Sequence, residues 1–133
     1  MTGGSELPIA SNADVVLVRQ QVRSAALEVG LSLVDQTKVV TAASELARNA
    51  LVYGGGGMAR VEIVENGPRK GLKLVFSDEG PGIADVEQAL TDGWTTGGGL
   101  GLGLSGSRRL VDEFDLVSAP SKGTTVTVTK WAR

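Results

Sequence analysis

The 133-residue chain predicts an α/β fold of the α+β two-layer kind, with helices on one face of a largely antiparallel, mixed sheet. Three observations carry this. Two segments near the N-terminus repeat apolar residues at helical spacing. The strand-like segments alternate with a period of two. Those strands come in pairs separated by short turn signals. Paired strands argue against a doubly wound parallel sheet, whose strands are joined through helices.

Residues 7–10, LPIA, read as a short edge strand, where Pro8 is tolerated. Ser11 or Asn12 can cap a helix whose core face is Val15, Val18, Val22, Ala25, Ala26 and Val29, with Gly30 as its stop. Ser32 or Asp35 opens a second helix that runs to about Tyr53, with Val39, Ala42, Ala43, Leu46 and Ala50 as its apolar stripe. Gly54–Gly57 follows as a flexible hinge. Ala59, Val61 and Ile63 alternate with polar residues, then Leu72, Leu74 and Phe76 do the same. These two strands form an antiparallel pair around Asn66-Gly67-Pro68, in a loop somewhat longer than a tight hairpin. Asp85 can cap a short helix over Val86–Leu90, and residues 91–99 read as a mobile loop. A third long helix runs from near Leu104 to about Asp112. Phe114 to Ser118 and Thr124 to Lys130 close the chain as two strands, with Val126 and Val128 on one face and Thr125, Thr127 and Thr129 on the other. There is no linker or repeat, so residues 1–133 read as a single domain.

Composition narrows the function. The formal net charge is −2 and aromatics are 4%, so neither a basic patch nor a base-stacking surface is expected, and no nucleic-acid partner. No apolar run approaches a membrane span, so no membrane partner is expected. The opening MTGGSELPIAS has neither the basic nor the apolar region of a signal peptide, and a cytoplasmic protein is the expectation. Cysteine and histidine are both absent, which removes thiolate chemistry, the commonest general base and any phosphohistidine on this chain.

Glycine is the outlier, with 19 residues gathered at 54–57, at 80 and 82, and at 97–103. Asp78 ends a strand and is followed by Gly80 and Gly82. A carboxylate there can accept a hydrogen bond from an exocyclic amino group, and glycines let backbone approach a flat base. Alone, the same pattern is also a common strand-end turn. Gly97, Gly98, Gly99, Gly101 and Gly103 precede a helix, and exposed N–H groups at a helix start bind anions. The loop is not a P-loop, for it lacks G-x-x-x-x-G-K-[ST], and it follows no strand as a dinucleotide fingerprint would. Glu45 and Asn49 lie one turn apart at the border of the second helix's apolar stripe. An amide oxygen there suits a hydrated Mg²⁺ on phosphates, and the carboxylate could take a proton from an attacking hydroxyl. As a lone residue, Glu45 reads first as a solvated side chain, and only the set of motifs brings the base role forward.

SELARNA, DEGPGI, GGGLGLGL and KGTTVTV, in this order and over nearly the whole chain, resemble the GHKL superfamily of gyrase, Hsp90, histidine kinases and MutL. The resemblance implies the Bergerat ATP-binding fold. It implies Asn49 as the Mg²⁺ ligand, and Asp78 as the adenine reader supported by Thr124. Gly80 and Gly82 would shape the pocket, and Gly99, Gly101 and Gly103 would wrap the phosphates within a lid at 92–103. The chain is too short for the gyrase, Hsp90 and MutL architectures and lacks a phosphoacceptor histidine. VDQTKVVTAASELARN, DGWTTGGGLGLGL and KGTTVTVTKWAR are instead similar to the small serine/threonine kinases of bacterial partner-switching systems, the stressosome switch kinases. That group implies ATP and Mg²⁺ as cofactors and Glu45 as general base. It implies a STAS-domain protein as substrate and antagonist, and a PP2C-type phosphatase that the released kinase activates. The related anti-sigma-factor kinases usually carry a basic residue before the lid glycines, and Asp92–Gly98 has none. Arg48, Arg108, Arg109 and Lys122 are candidates to meet the γ-phosphate. A nucleotide-gated binding module, such as an anti-sigma factor with little turnover, is the alternative. A metabolic ATPase is a third reading, with only the generic motifs behind it.

Overall fold

A computed structural model of the chain describes residues 4–83 and 104–132. The elements run β1 (Gly4–Ile9), α1 (Asn12–Val29), α2 (Leu33–Val52), β2 (Gly57–Asn66), β3 (Arg69–Asp78), α3 (Leu104–Arg109), β4 (Glu113–Ser118) and β5 (Thr124–Trp131). The strands form one sheet in the order β1-β2-β3-β5-β4. Its four pairings, described strand to described strand, are all antiparallel, so the mixed element of the expectation is not seen among them.

Local chemistry sets the helix ends. Ser11 Oγ accepts from the Asp14 N–H while Asp14 Oδ2 accepts from the Ala10 N–H, a reciprocal cap at the start of α1. Gly30 ends α1 in the left-handed region, φ 90°, and takes the Ala26 and Leu27 carbonyls. Ser32 caps α2 through the Asp35 N–H. Every residue in the two expected apolar stripes is buried, joined by Val40 and Ala47.

The sheet meets these helices with one face. Across the register, Leu7, Ala59, Phe76, Val126 and Leu116 form one row, and Val61, Leu74, Val128 and Phe114 form the next. Leu72, Leu74, Val39, Leu46 and Val128 are sealed between the layers. Burying each contributes roughly 1.5–3 kcal/mol relative to exposure.

Two expected features differ. The β2–β3 hairpin is tight: Asn66 pairs with Arg69, leaving only Gly67 and Pro68 in the loop. Gly67 takes φ 62°, the positive angle that primed two-residue turns require. The third helix stops at Arg109 rather than Asp112. Its exit is drawn into the sheet, because Asp112 N–H donates to Thr129 O and Asp112 Oδ2 accepts from Trp131 N–H. The expected helix over Val86–Leu90 lies outside the described residues.

Candidate functional site

Strand parity decides where Asp78 points. Leu72, Leu74 and Phe76 face the helices, so Asp78, two residues on, faces them too. It is the last residue of β3, and it stands in a row with Ile9, Gly57, Thr124 and Ser118. The helix-facing side of the sheet therefore ends in three polar side chains side by side, those of Asp78, Thr124 and Ser118.

Glycines clear the space around this row. A Cβ at Gly54 would sit 2.4 Å from Asp78 Cγ, and one at Gly80 would sit 2.6 Å from Gly54 Cα. Gly82, at φ 78°, would drive a Cβ into Ala119 O at 1.9 Å, and Gly123, at φ 75°, into Asp78 O at 2.1 Å. Larger residues would press on the Asp78 carboxylate or part the two loops at 79–83 and 119–123. Those loops are also bonded: Ser121 N–H donates to Pro81 O at 2.7 Å, and Ile83 N–H to Ser118 Oγ at 2.8 Å.

Asp78 is half satisfied. Its Oδ1 accepts from the Gly80 N–H at 2.9 Å, which fixes the carboxylate plane, and its Oδ2 has no hydrogen-bond partner among the described residues. A partly buried carboxylate oxygen held in one direction can accept a charge-assisted hydrogen bond from a donor brought to it.

The second helix enters through its C-terminal end. Asn49, half-buried, takes the Tyr53 and Gly54 N–H groups on its backbone carbonyl. That bond leads the chain straight into Gly54 and against Asp78. The Gly54–Gly57 run, read from its composition as a hinge, is packed at Gly54, Gly56 and Gly57 and open at Gly55. Gly56 N–H donates to Ala50 O, and a Cβ at Gly57 would strike Ser77 O at 2.0 Å. Glu45 lies a turn earlier. It lines a groove of about 200 Å³ between α1 and α2, with Arg19, Arg23, Thr37, Val40, Thr41 and Ser44.

Asp78, Gly80, Gly82 and Thr124 are therefore brought together, with Asn49 on the helix end that abuts them. Glu45 opens toward α1, a turn away. Gly99, Gly101, Gly103 and the rest of the expected lid lie outside the described residues. Of the candidate cations, Arg48, Arg108, Arg109 and Lys122 are all exposed. On the far face of the sheet Glu62 hydrogen-bonds the Arg60 guanidinium and holds it above its ordinary value, remote from this row. Two residues of the site escaped the sequence reading of function, Gly54 and Ser118. The available signal for Ser118 was its pairing with Thr124 across the closing hairpin.

A family model described as histidine kinase-, DNA gyrase B- and HSP90-like ATPase matches residues 34–133. The chain is 44% identical, over all of both proteins, to the serine/threonine-protein kinase RsbT of Bacillus subtilis (strain 168). It is 35% identical over 101 residues, 72% of this chain and 69% of the other, to the anti-sigma F factor of Halalkalibacterium halodurans. Its fold is similar to that of a solved Mycobacterium tuberculosis protein carrying RsbU and RsbW domains. That match has a TM-score of 0.65 and 23% identity, and it covers all of this chain and 33% of that one. The chain belongs to the histidine kinase-, DNA gyrase B- and HSP90-like ATPase family, as one of its partner-switching serine/threonine protein kinases.

Proposed function

We propose that this kinase transfers the γ-phosphoryl group of ATP to a serine or threonine of a STAS-domain protein, its antagonist, in the cytoplasm. Once released, it binds and activates a PP2C-type phosphatase. The observation that carries the nucleotide half is the Asp78 carboxylate, oriented by the Gly80 N–H and bordered by Gly54 and Gly80. An adenine amino group is the donor that such an acceptor suits. The full-length identity to a serine/threonine kinase supports the transfer, and a solved neighbour with an RsbU domain on the same chain supports a second partner.

ATP supplies the phosphoryl group and, with Mg²⁺, its own charge neutralisation. A divalent ion would be held by the triphosphate with Asn49 as its protein ligand, the manner in which Mg²⁺ usually binds beside nucleotides. Gly99, Gly101 and Gly103 offer backbone N–H groups to the phosphates, and Arg48, Arg108, Arg109 or Lys122 a cation. Glu45 accepts the proton of the attacking hydroxyl as its oxygen bonds the γ-phosphorus. The bond to the bridging oxygen breaks and ADP leaves.

Labelled ATP incubated with the kinase and a STAS-domain protein of the same genome tests this reading. Label is expected on the partner, and Glu45→Ala should cut transfer about 100-fold or more while ATP still binds. Transfer by Glu45→Ala at the wild-type rate would remove the base assignment. ATP bound without transfer by the wild type would favour the second reading, a nucleotide-gated binding module, which the anti-sigma F relatives support.

A further inference from the structure

We infer that Ser118 is a positioning residue for the nucleobase, directing the Thr124 hydroxyl so that the pocket offers two acceptors and selects an amino edge over a carbonyl edge. The inference rests on the reading of Asp78 as the base contact. It starts from proton counting. Ser118 Oγ has three partners: the Ile83 N–H at 2.8 Å, Gly123 O at 3.0 Å and Thr124 Oγ1 at 2.8 Å. A hydroxyl has one proton and two lone pairs. Ile83 N–H can only donate and occupies one lone pair. Gly123 O can only accept and takes the proton. The Thr124 contact must then be carried by the proton of Thr124, given to the second lone pair of Ser118.

This assignment satisfies all three contacts and fills the capacity of Ser118. In the alternative, Ser118 donates to Thr124 and two bare oxygens face each other at the Gly123 carbonyl, which is unfavourable in a half-buried site. The consequence falls on Thr124. With its proton turned to Ser118, its remaining lone pairs are what it offers to a ligand. Thr124 is the cross-strand partner of Asp78, whose Oδ2 also only accepts. Two acceptors side by side match the two N–H bonds of an exocyclic amino group. They repel a carbonyl oxygen, which has no proton to give. A Thr124 free to rotate could donate instead and would tolerate that carbonyl. Ser118 therefore acts on the base through Thr124 without touching it.

Calorimetric titration with ATP and with inosine triphosphate, which differ in the amino and carbonyl edges of the base, tests the inference. The wild type should prefer ATP. Ser118→Ala should lower the ATP-to-inosine ratio about tenfold, mostly through weaker ATP binding, and Ser118→Thr should restore it. An equal loss for both nucleotides, or no loss, would reduce Ser118 to a structural clip and overturn the inference. Should Ser118→Ala fail to fold, Thr124→Val removes the same second acceptor and should lower the ratio equally, and an unchanged ratio there also overturns it. Asp78→Asn, run alongside, separates the two levels. If it loses ATP while Ser118→Ala keeps the ratio, the Ser118 role alone falls. If Asp78→Asn keeps full ATP affinity, the base lies elsewhere and both fall.

Discussion

The helix-facing side of the sheet carries a charged residue toward each end, and the two are treated in opposite ways. At one end stands Lys130, in register with Leu72 and 5% exposed. Its ammonium lies 3.5 Å from Asp35 at the start of α2 and 3.6 Å from Asp112 after α3. At the other end stands Asp78, with a backbone N–H on one oxygen, no described partner on the other, and glycines where side chains would otherwise close in. Lys130 is enclosed and paired, so its end of the sheet is a clamp joining β5 to two helical segments. Asp78 is held in direction with no partner among the described residues on its second oxygen, so its end is the one we propose as a receptor. A buried charge by itself identifies neither role; what the fold places around it does.

That contrast can be broken from either end. The largest effect is expected at the clamp. Lys130→Met removes the buried ammonium that Asp35 and Asp112 both approach and should cost about 3 kcal/mol or more of stability in denaturant melts. The ATP affinity of the folded fraction should be unchanged. A smaller effect is expected at the receptor. Gly54→Ala places a methyl 2.4 Å from Asp78 Cγ and 2.7 Å from Ala50 O, and should weaken ATP roughly tenfold or more in titration, the worth of one misdirected hydrogen bond to a charged group, with a stability cost of about 2 kcal/mol. The smallest is Asp35→Asn, which leaves Lys130 its Asp112 partner and should cost about 1 kcal/mol in the same melts, with no change in nucleotide binding. A clamp variant that altered ATP affinity, or a Gly54 variant that altered only stability, would erase the distinction.

The sequence made some of this legible and not the rest, for physical reasons. The stripes of α1 and α2, their serine caps and the Gly30 stop are local signals, read within a few residues, and the structure carries them where periodicity placed them. The helix-facing set of Val126 and Val128 follows from alternation alone. Asp78 was legible as a carboxylate at a strand end. Gly54 was not legible as its neighbour, because a glycine run reads as freedom, and only tertiary packing reveals that a Cβ at Gly54, Gly56 or Gly57 would meet a particular atom. The short third helix escaped because its exit is fixed by hydrogen bonds to β5, on the far side of the closing hairpin. Lys130 and its two aspartates are likewise far apart in the chain, and no spacing rule joins them.

The central claim is that the Asp78 oxygen with no partner among the described residues is the group that reads the nucleotide. Calorimetric titration of ATP into Asp78→Asn tests it most directly, because the asparagine keeps an oxygen for the Gly80 N–H and the site keeps its shape. The account predicts at least a 30-fold loss of ATP affinity, the worth of a charge-assisted hydrogen bond of about 2 kcal/mol, with an unchanged melting temperature. Full ATP affinity in that variant would contradict it.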